Sequence, residues 1–245
     1  MAKYYCILFD ADNTLLDFDA AETKALTETL EHFSIPAEAA TMETYRKVNA
    51  ELWANLEKGE FSREKLLAER FPRFLRQAGI TADGAEMGRY YLDRLATHAD
   101  VLPDTLEALD ELAEVATLAV ISNGVERVQK QRLQDSGVAN YMEEIFISEK
   151  LGCEKPNRRF FDTALRTLGI EDRRRVLVVG DSLTGDIQGG ANAGLATCWF
   201  HPGSEETPAA LTPTYVVHQL SQLYPIVMEE DELANVGNKN RKHSL

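Results

Sequence analysis

From Pro103 onward, short apolar runs and helical patterns take turns. A helix is expected over 104–113, a strand over 115–121, then helix 125–136, strand 144–147, helix 158–168, strand 175–179, helix 184–193, strands 196–200 and 214–217, and a helix from Gln219. A helix between two strands carries the chain back to the starting end of the sheet, so this alternation points to a parallel sheet with helices packed on it. Gly137 and Gly169 fall where two of these helices should close. An earlier apolar run over 4–9, YYCILF, supplies a first strand that stops at carboxylates. The expected class is α/β, with a Rossmann-like, doubly wound parallel sheet as its core.

Residues 19–98 read differently. Apolar residues recur at three and four spacing over 20–33, 38–58, 62–77 and 81–97, and no strand pattern interrupts them. Pro36, Gly59 and Gly79 mark the turns, and Asp19, Ser62 and Thr81 are candidate N-caps. A chain of 245 residues suits one core domain with a substantial insertion. The expected organisation is a catalytic core formed by 1–18 and 99–234, an inserted α-helical cap domain at 19–98, and a loose polar tail at 235–245.

Charge narrows the function. With 26 basic and 40 acidic side chains the net charge is −14, a field that repels nucleic-acid backbone, so no nucleic acid polymer is expected as partner. Cys6, Cys153 and Cys198 lie far apart without a C-x-x-C pair, which indicates neither a zinc site nor a disulfide framework and suits a reducing cytoplasmic compartment. No run approaches the ~18 apolar residues of a membrane span, and residues 1–9 do not fit a signal peptide. A small-molecule partner is expected, with the chain a monomer or weak dimer.

Ligands of an open parallel sheet bind at the carboxyl ends of its strands, and the residues there are unusual. The first strand runs into Asp10-Ala11-Asp12-Asn13-Thr14, the second into Ser122-Asn123-Gly124, and the fourth into Gly180-Asp181-Ser182, with Asp186 just beyond and Lys155-Pro156 ahead of the helix leading to that strand. If these strands are neighbours, four carboxylates, a hydroxyl and an ammonium converge. Carboxylates held that close must take up protons or gain a cation. Oxygen-only ligands and a phosphate partner favour Mg²⁺. Lys155 adds a fixed positive charge, and backbone N–H groups around Asn123 and Gly124 can hold phosphate oxygens. A carboxylate can attack phosphorus while a second acid protonates the leaving alkoxide and then activates water, and Asp10 and Asp12 can divide those tasks. Asn13 sits where the chain must turn sharply, and Asn tolerates positive φ.

In this order, D-x-D-x-T (Asp10, Asp12, Thr14), S-N-G (Ser122, Asn123, Gly124), K-P (Lys155, Pro156) and G-D-S-x-x-x-D (Gly180, Asp181, Asp186) resemble the motifs of the haloacid dehalogenase superfamily of phosphohydrolases. The wording DADNTLLDF and CEKPNRRFF is similar to the YjjG-type noncanonical pyrimidine nucleotidases, which act on nucleoside 5′-monophosphates. The resemblance implies Asp10 as nucleophile and metal ligand, and Asp12 as general acid/base whose backbone carbonyl also binds Mg²⁺. It implies Asp181 as a further ligand, and Thr14, Ser122, Asn123 and Lys155 around the phosphate. Asp186 would orient either the metal's water shell or Lys155. An acid at position 12 disfavours halide displacement, since the superfamily's dehalogenases lack one there. Phosphoglycolate or sugar-phosphate phosphatases and phosphomutases share such a core, as would a binding protein that had lost the chemistry. Tyr45, Trp53 and Phe61 read as core aromatics, Cys153 as a packing residue, and the histidines form no cluster.

Overall fold

The computed structural model describes residues 2–203 and 212–228. The tail expected at 235–245, with 229–234 before it, lies outside the described residues. Six parallel strands, β1 (Cys6–Phe9), β2 (Thr117–Ser122), β3 (Glu144–Ile147), β4 (Val176–Gly180), β5 (Ala196–Phe200) and β6 (Tyr215–Val217), form one sheet in the order β3-β2-β1-β4-β5-β6. The order reverses direction between β1 and β4, and a crevice opens at such a switch point. Phe9 pairs with Val120 on one side and Val179 on the other, so Asp10 leaves its strand level with the ends of both neighbours.

Strand residues alternate between two buried faces. Ile7, Phe9, Leu118, Val120, Leu177 and Val179 enter one core, whereas Cys6, Leu8, Ala119, Ile121, Val176 and Val178 enter the other. Helices cover both faces, which is why these strands read as unbroken apolar runs. Helix α5 (Thr105–Ala113) contributes Ala108, Leu109 and Leu112 to the first core, and α10 (Leu223–Met228) adds Leu223 and Val227. Helix α8 (Arg158–Thr167) packs Phe160, Phe161, Ala164 and Leu165 into the second.

Four helices separate β1 from α5: α1 (Phe18–His32), α2 (Ala39–Glu57), α3 (Arg63–Ala78) and α4 (Gly84–Leu95). They bury a core of their own around Leu26, Tyr45, Phe71, Phe74, Met87 and Tyr91, with Val128 of α6 (Glu126–Asp135) joining it from below. Ser62 caps α3 as expected, its side chain accepting from Lys65 N. The caps of α1 and α4 are Asp17 and Asp83 instead of Asp19 and Thr81. Each is a short carboxylate immediately ahead of the first turn, where it reaches free N–H groups; Asp19 sits inside that turn, favourably placed on the helix dipole. The chain leaves for these helices and returns along one seam: Leu16 bridges Val101, Asp17 N donates to Asp100 O at 2.9 Å, and Leu102 N donates to Leu15 O at 3.0 Å. Asn13 turns the chain out of β1 at φ 57°, as its residue type predicts.

Two further elements were not legible in the periodicity. The one-turn helix α7 (Ser148–Leu151) follows β3 directly, and the segment expected as a helix over 184–193 is a π-helical stretch, Leu183–Gln188, continued by α9 (Gly189–Asn192).

Candidate active site

The carboxyl ends of β1, β2 and β4 and the inner side of the helical insertion enclose a cleft of about 420 Å³. Asp10, Asp12, Ser122, Asn123, Lys155, Asp181 and Asp186 all line it. Residues separated by up to 176 positions in the chain therefore share one cavity, as the strand-end argument requires. Thr14 stands apart. Its side chain is wholly buried, does not line the cleft, and its Oγ1 finds no partner among the described residues, so it does not offer a phosphate contact here.

Lys155 sits at the bottom of the cleft, 3% exposed. Its Nζ donates to Asp10 Oδ1 at 2.6 Å, to Asp186 Oδ1 at 2.6 Å and to Ile121 O at 3.0 Å, which uses all three ammonium protons. Of the two roles open to Asp186 in the sequence, the structure shows contact with Lys155. The other oxygen of Asp186 accepts from Ser182 N at 3.1 Å. Gly180 makes room for this carboxylate: a Cβ there would lie 2.2 Å from Asp186 Oδ2.

Asp10, Asp181 and Asp186 each offer an oxygen within 4.8 Å of the others. Burial pushes the Asp10 carboxyl up to about 7, with Asp186 and Asp12 adding to the shift and Lys155 opposing it. Asp181 is raised well above the usual carboxylate range, again by burial first and then by Asp10 and Asp186. For Lys155, burial alone would lower the ammonium, but the two carboxylates outweigh it and the group is raised. One ammonium faces three acids, so the cluster is two charges short of neutrality. An all-oxygen donor set short of two positive charges fits a hard divalent cation.

Ser122 is 2% exposed, and its Oγ accepts from Gly124 N at 3.0 Å and from Gln129 Nε2 at 2.8 Å. With both lone pairs engaged, its hydroxyl proton is left to donate into the cleft. Asn123 ties the second loop to the third: its Nδ2 donates to Lys155 O and its Oδ1 accepts from Lys155 N, both at 2.9 Å. Asp12 is held separately. Its Oδ2 accepts from Gln129 Nε2 at 2.9 Å, and its Oδ1 pairs with Arg132 Nη1.

Gln129 and Arg132 were missed in the sequence. Both are almost fully buried on α6, among Val128 and Leu133, at positions where a helical pattern calls for apolar residues. Polar residues on the apolar face of the helix after S-N-G were the available signal. The insertion also reaches the core. Glu57 accepts from Ser182 Oγ at 3.1 Å and from Thr184 Oγ1, and Arg63 donates to Asn123 O at 3.0 Å and to Ser148 Oγ. Of the three aromatics read as core, Tyr45 is buried, and Trp53 and Phe61 are half-buried against Val48, Leu52, Leu56 and Leu66, with Trp53 also lining the cleft beside Phe18 and Ala50.

The family model described as haloacid dehalogenase-like hydrolase matches residues 4–194. Pyrimidine 5′-nucleotidase PynA of Streptococcus pneumoniae is 37% identical over 221 residues, covering 90% of this chain and 93% of its own. Pyrimidine 5′-nucleotidase YjjG of Escherichia coli is 34% identical over 224 residues, covering 90% and 98%. The magnesium-bound crystal structure of the HAD-hydrolase YfnB from Bacillus subtilis superposes with a TM-score of 0.87 at 34% identity, over 92% of this chain and 99% of that one.

Proposed function

The chain belongs to the haloacid dehalogenase-like hydrolases, and from that premise we propose that it is a Mg²⁺-dependent phosphomonoesterase acting on nucleoside 5′-monophosphates, pyrimidine ones foremost, through a phosphoaspartate at Asp10. The observation that carries the reading is the position of Lys155 Nζ, shared between Asp10 and Asp186 at the floor of a cleft that also holds Asp12, Ser122 and Asp181. The nucleotide substrate is supported by the two pyrimidine nucleotidases to which most of the chain is similar.

In this reading the phosphate enters with its oxygens facing the Ser122 hydroxyl and the backbone N–H of Asn123, while Lys155, its protons held by Asp10, Asp186 and Ile121 O, contributes its positive charge. The Asp10 oxygen that Lys155 does not hold attacks phosphorus, the bond to the ester oxygen breaks, and Asp12 gives that oxygen a proton. A water then attacks the phosphoaspartate with Asp12 as base, which releases phosphate and restores both carboxyl groups. Mg²⁺ held by Asp10, Asp181 and the Asp12 carbonyl would supply charge neutralisation for the phosphoryl group and keep the buried carboxylates ionised. The helical insertion serves as the cap: Glu57 and Arg63 anchor it to the loops after β4 and β2, and Phe18 and Trp53 give the leaving group an aromatic wall. Cys6, Cys153 and Cys198 are buried free thiols, which supports a reducing, cytoplasmic setting. Among the described residues no helix is long and apolar enough to cross a membrane.

The test is phosphate release from a panel of esters with Mg²⁺: pyrimidine and purine nucleoside 5′-monophosphates, phosphoglycolate and hexose phosphates. Pyrimidine nucleotides are expected to give the highest kcat/KM. Preference for a sugar phosphate or phosphoglycolate would move the substrate assignment, and absence of release from every ester, with p-nitrophenyl phosphate included, would remove the enzyme reading altogether.

A further inference from the structure

The side chain of Arg132 has no solvent exposure, yet it contacts four things that matter to the site. Nη1 pairs with Asp12 Oδ1 and donates to Gln129 Oε1 at 3.1 Å, Nε donates to His98 O at 2.9 Å, and the guanidinium lies 5.7 Å from the centre of the Phe18 ring. Phe18 opens α1 and His98 follows α4, so one side chain touches both passages of the chain between the sheet and the helical insertion.

The chemistry of the guanidinium makes this arrangement directional. Arginine has only donors, so the Gln129 atom facing it must be the amide oxygen. That fixes the sense of the amide and turns its NH₂ toward Asp12 Oδ2 and Ser122 Oγ, where both contacts are observed. A carboxylate has about four acceptor positions. Arg132 and Gln129 occupy one on each oxygen, which defines the plane of the Asp12 carboxyl group and leaves its other positions free beside the cleft.

We propose that Arg132 is a positioning residue: acting directly and through Gln129, it sets the orientation of the Asp12 carboxyl group toward the leaving-group oxygen and ties that orientation to the two chain passages at Phe18 and His98. The inference rests on the phosphomonoesterase reading above, in which Asp12 protonates the departing alkoxide. Among the charged groups of the site Asp12 is the one Arg132 contacts: Lys155 and Asp186 hold each other, Asp186 also accepts from Ser182 N, and Ser122 is reached only through Gln129.

A leaving-group comparison tests it. An alkoxide departs poorly unless it is protonated, whereas p-nitrophenolate departs without help, and kcat/KM reports the steps up to formation of the phosphoenzyme. Arg132→Lys and Arg132→Met are measured on uridine 5′-monophosphate and on p-nitrophenyl phosphate beside the unaltered protein, with thermal melts of each. The expected result is a fall in kcat/KM of about 10- to 100-fold for the nucleotide, on the scale of a misplaced general acid, and of no more than about threefold for the aryl ester. Equal losses on both esters, no loss on either, or failure of both variants to fold would overturn the proposal by assigning Arg132 to the fold alone. Should the unaltered protein hydrolyse neither ester, it is the phosphomonoesterase reading that falls.

Discussion

Lys155 Nζ lies 2.6 Å from Asp10 Oδ1 and 2.6 Å from Asp186 Oδ1, an ammonium shared by two buried carboxylates that come from different strand ends. The arrangement gives each acid a partner, and Asp10 still lines the cleft. Removing the ammonium takes the cationic partner from both carboxylates in a dry place. Lys155→Met is expected to lower turnover by about 10²- to 10³-fold, the range found when a single charge-stabilising donor is lost. It should also cost about 3 kcal/mol of stability in metal-free buffer. Steady-state kinetics and urea unfolding in EDTA check the two effects.

Gly180 carries no side chain because Asp186 occupies the space where one would start. Gly180→Ala would push the Asp186 carboxylate off Lys155 or bend β4, and overpacking of this kind costs about 1–3 kcal/mol. Loss of activity at least as large as the loss seen in Asp186→Asn is the expected kinetic result. A Gly180→Ala protein with normal turnover would show that the Asp186 contact is dispensable.

Burial raises Asp10 from its ordinary 3.8 to about 7 and raises Asp181 as well. A carboxyl group whose folded value lies above its unfolded one contributes most to stability below the unfolded value, near pH 4, and that contribution is lost as pH climbs to about 7. In EDTA, the melting temperature of the unaltered protein minus that of Asp10→Asn should therefore fall between pH 5 and pH 8, by about 5 °C or more. Added Mg²⁺ should restore the unaltered protein more at pH 8 than at pH 5, because protons compete for the same oxygens. A pH-independent difference between the two proteins would contradict the burial argument.

Trp53 and Phe18 face the cleft from the insertion. Trp53→Ala is expected to raise KM for uridine 5′-monophosphate about 3- to 10-fold, as loss of one aromatic contact of about 0.5–1.5 kcal/mol would. Glycerol phosphate, which has no ring to stack, should be unaffected. Parallel shifts for the two esters would place Trp53 in the fold of the insertion instead of in substrate contact.

The sheet and the positions of its polar ends were readable because parallel strands buried on both faces leave continuous apolar runs, and those runs stop abruptly at Asp10, Ser122 and Gly180. The parallel order brought Asp10, Ser122, Lys155, Asp181 and Asp186 into one cavity without any knowledge of distances. What periodicity could not supply was the network behind the first ring of side chains. Gln129 and Arg132 occupy core positions of α6 by virtue of partners from Asp12 and His98, which are remote in sequence. Trp53 is half-buried on a helix whose other aromatic, Tyr45, is wholly buried, and spacing alone does not separate the two. Thr14 belongs to a motif by its letters, yet the tight turn after β1 directs it inward.

The seam where Leu16 meets Val101 places the exit and re-entry of the polypeptide side by side. The four intervening helices thus hang from the sheet like a pendant whose chain passes through one clasp, steadied by Glu57 on the loop after β4 and Arg63 on the loop after β2, and a short hairpin would span the gap they leave. Away from those contacts and from the face that packs on Val128, the pendant can be lengthened, shortened or exchanged without altering the register of any strand, so much of what greets the substrate is free to be remodelled while the part that breaks the bond stays as it is.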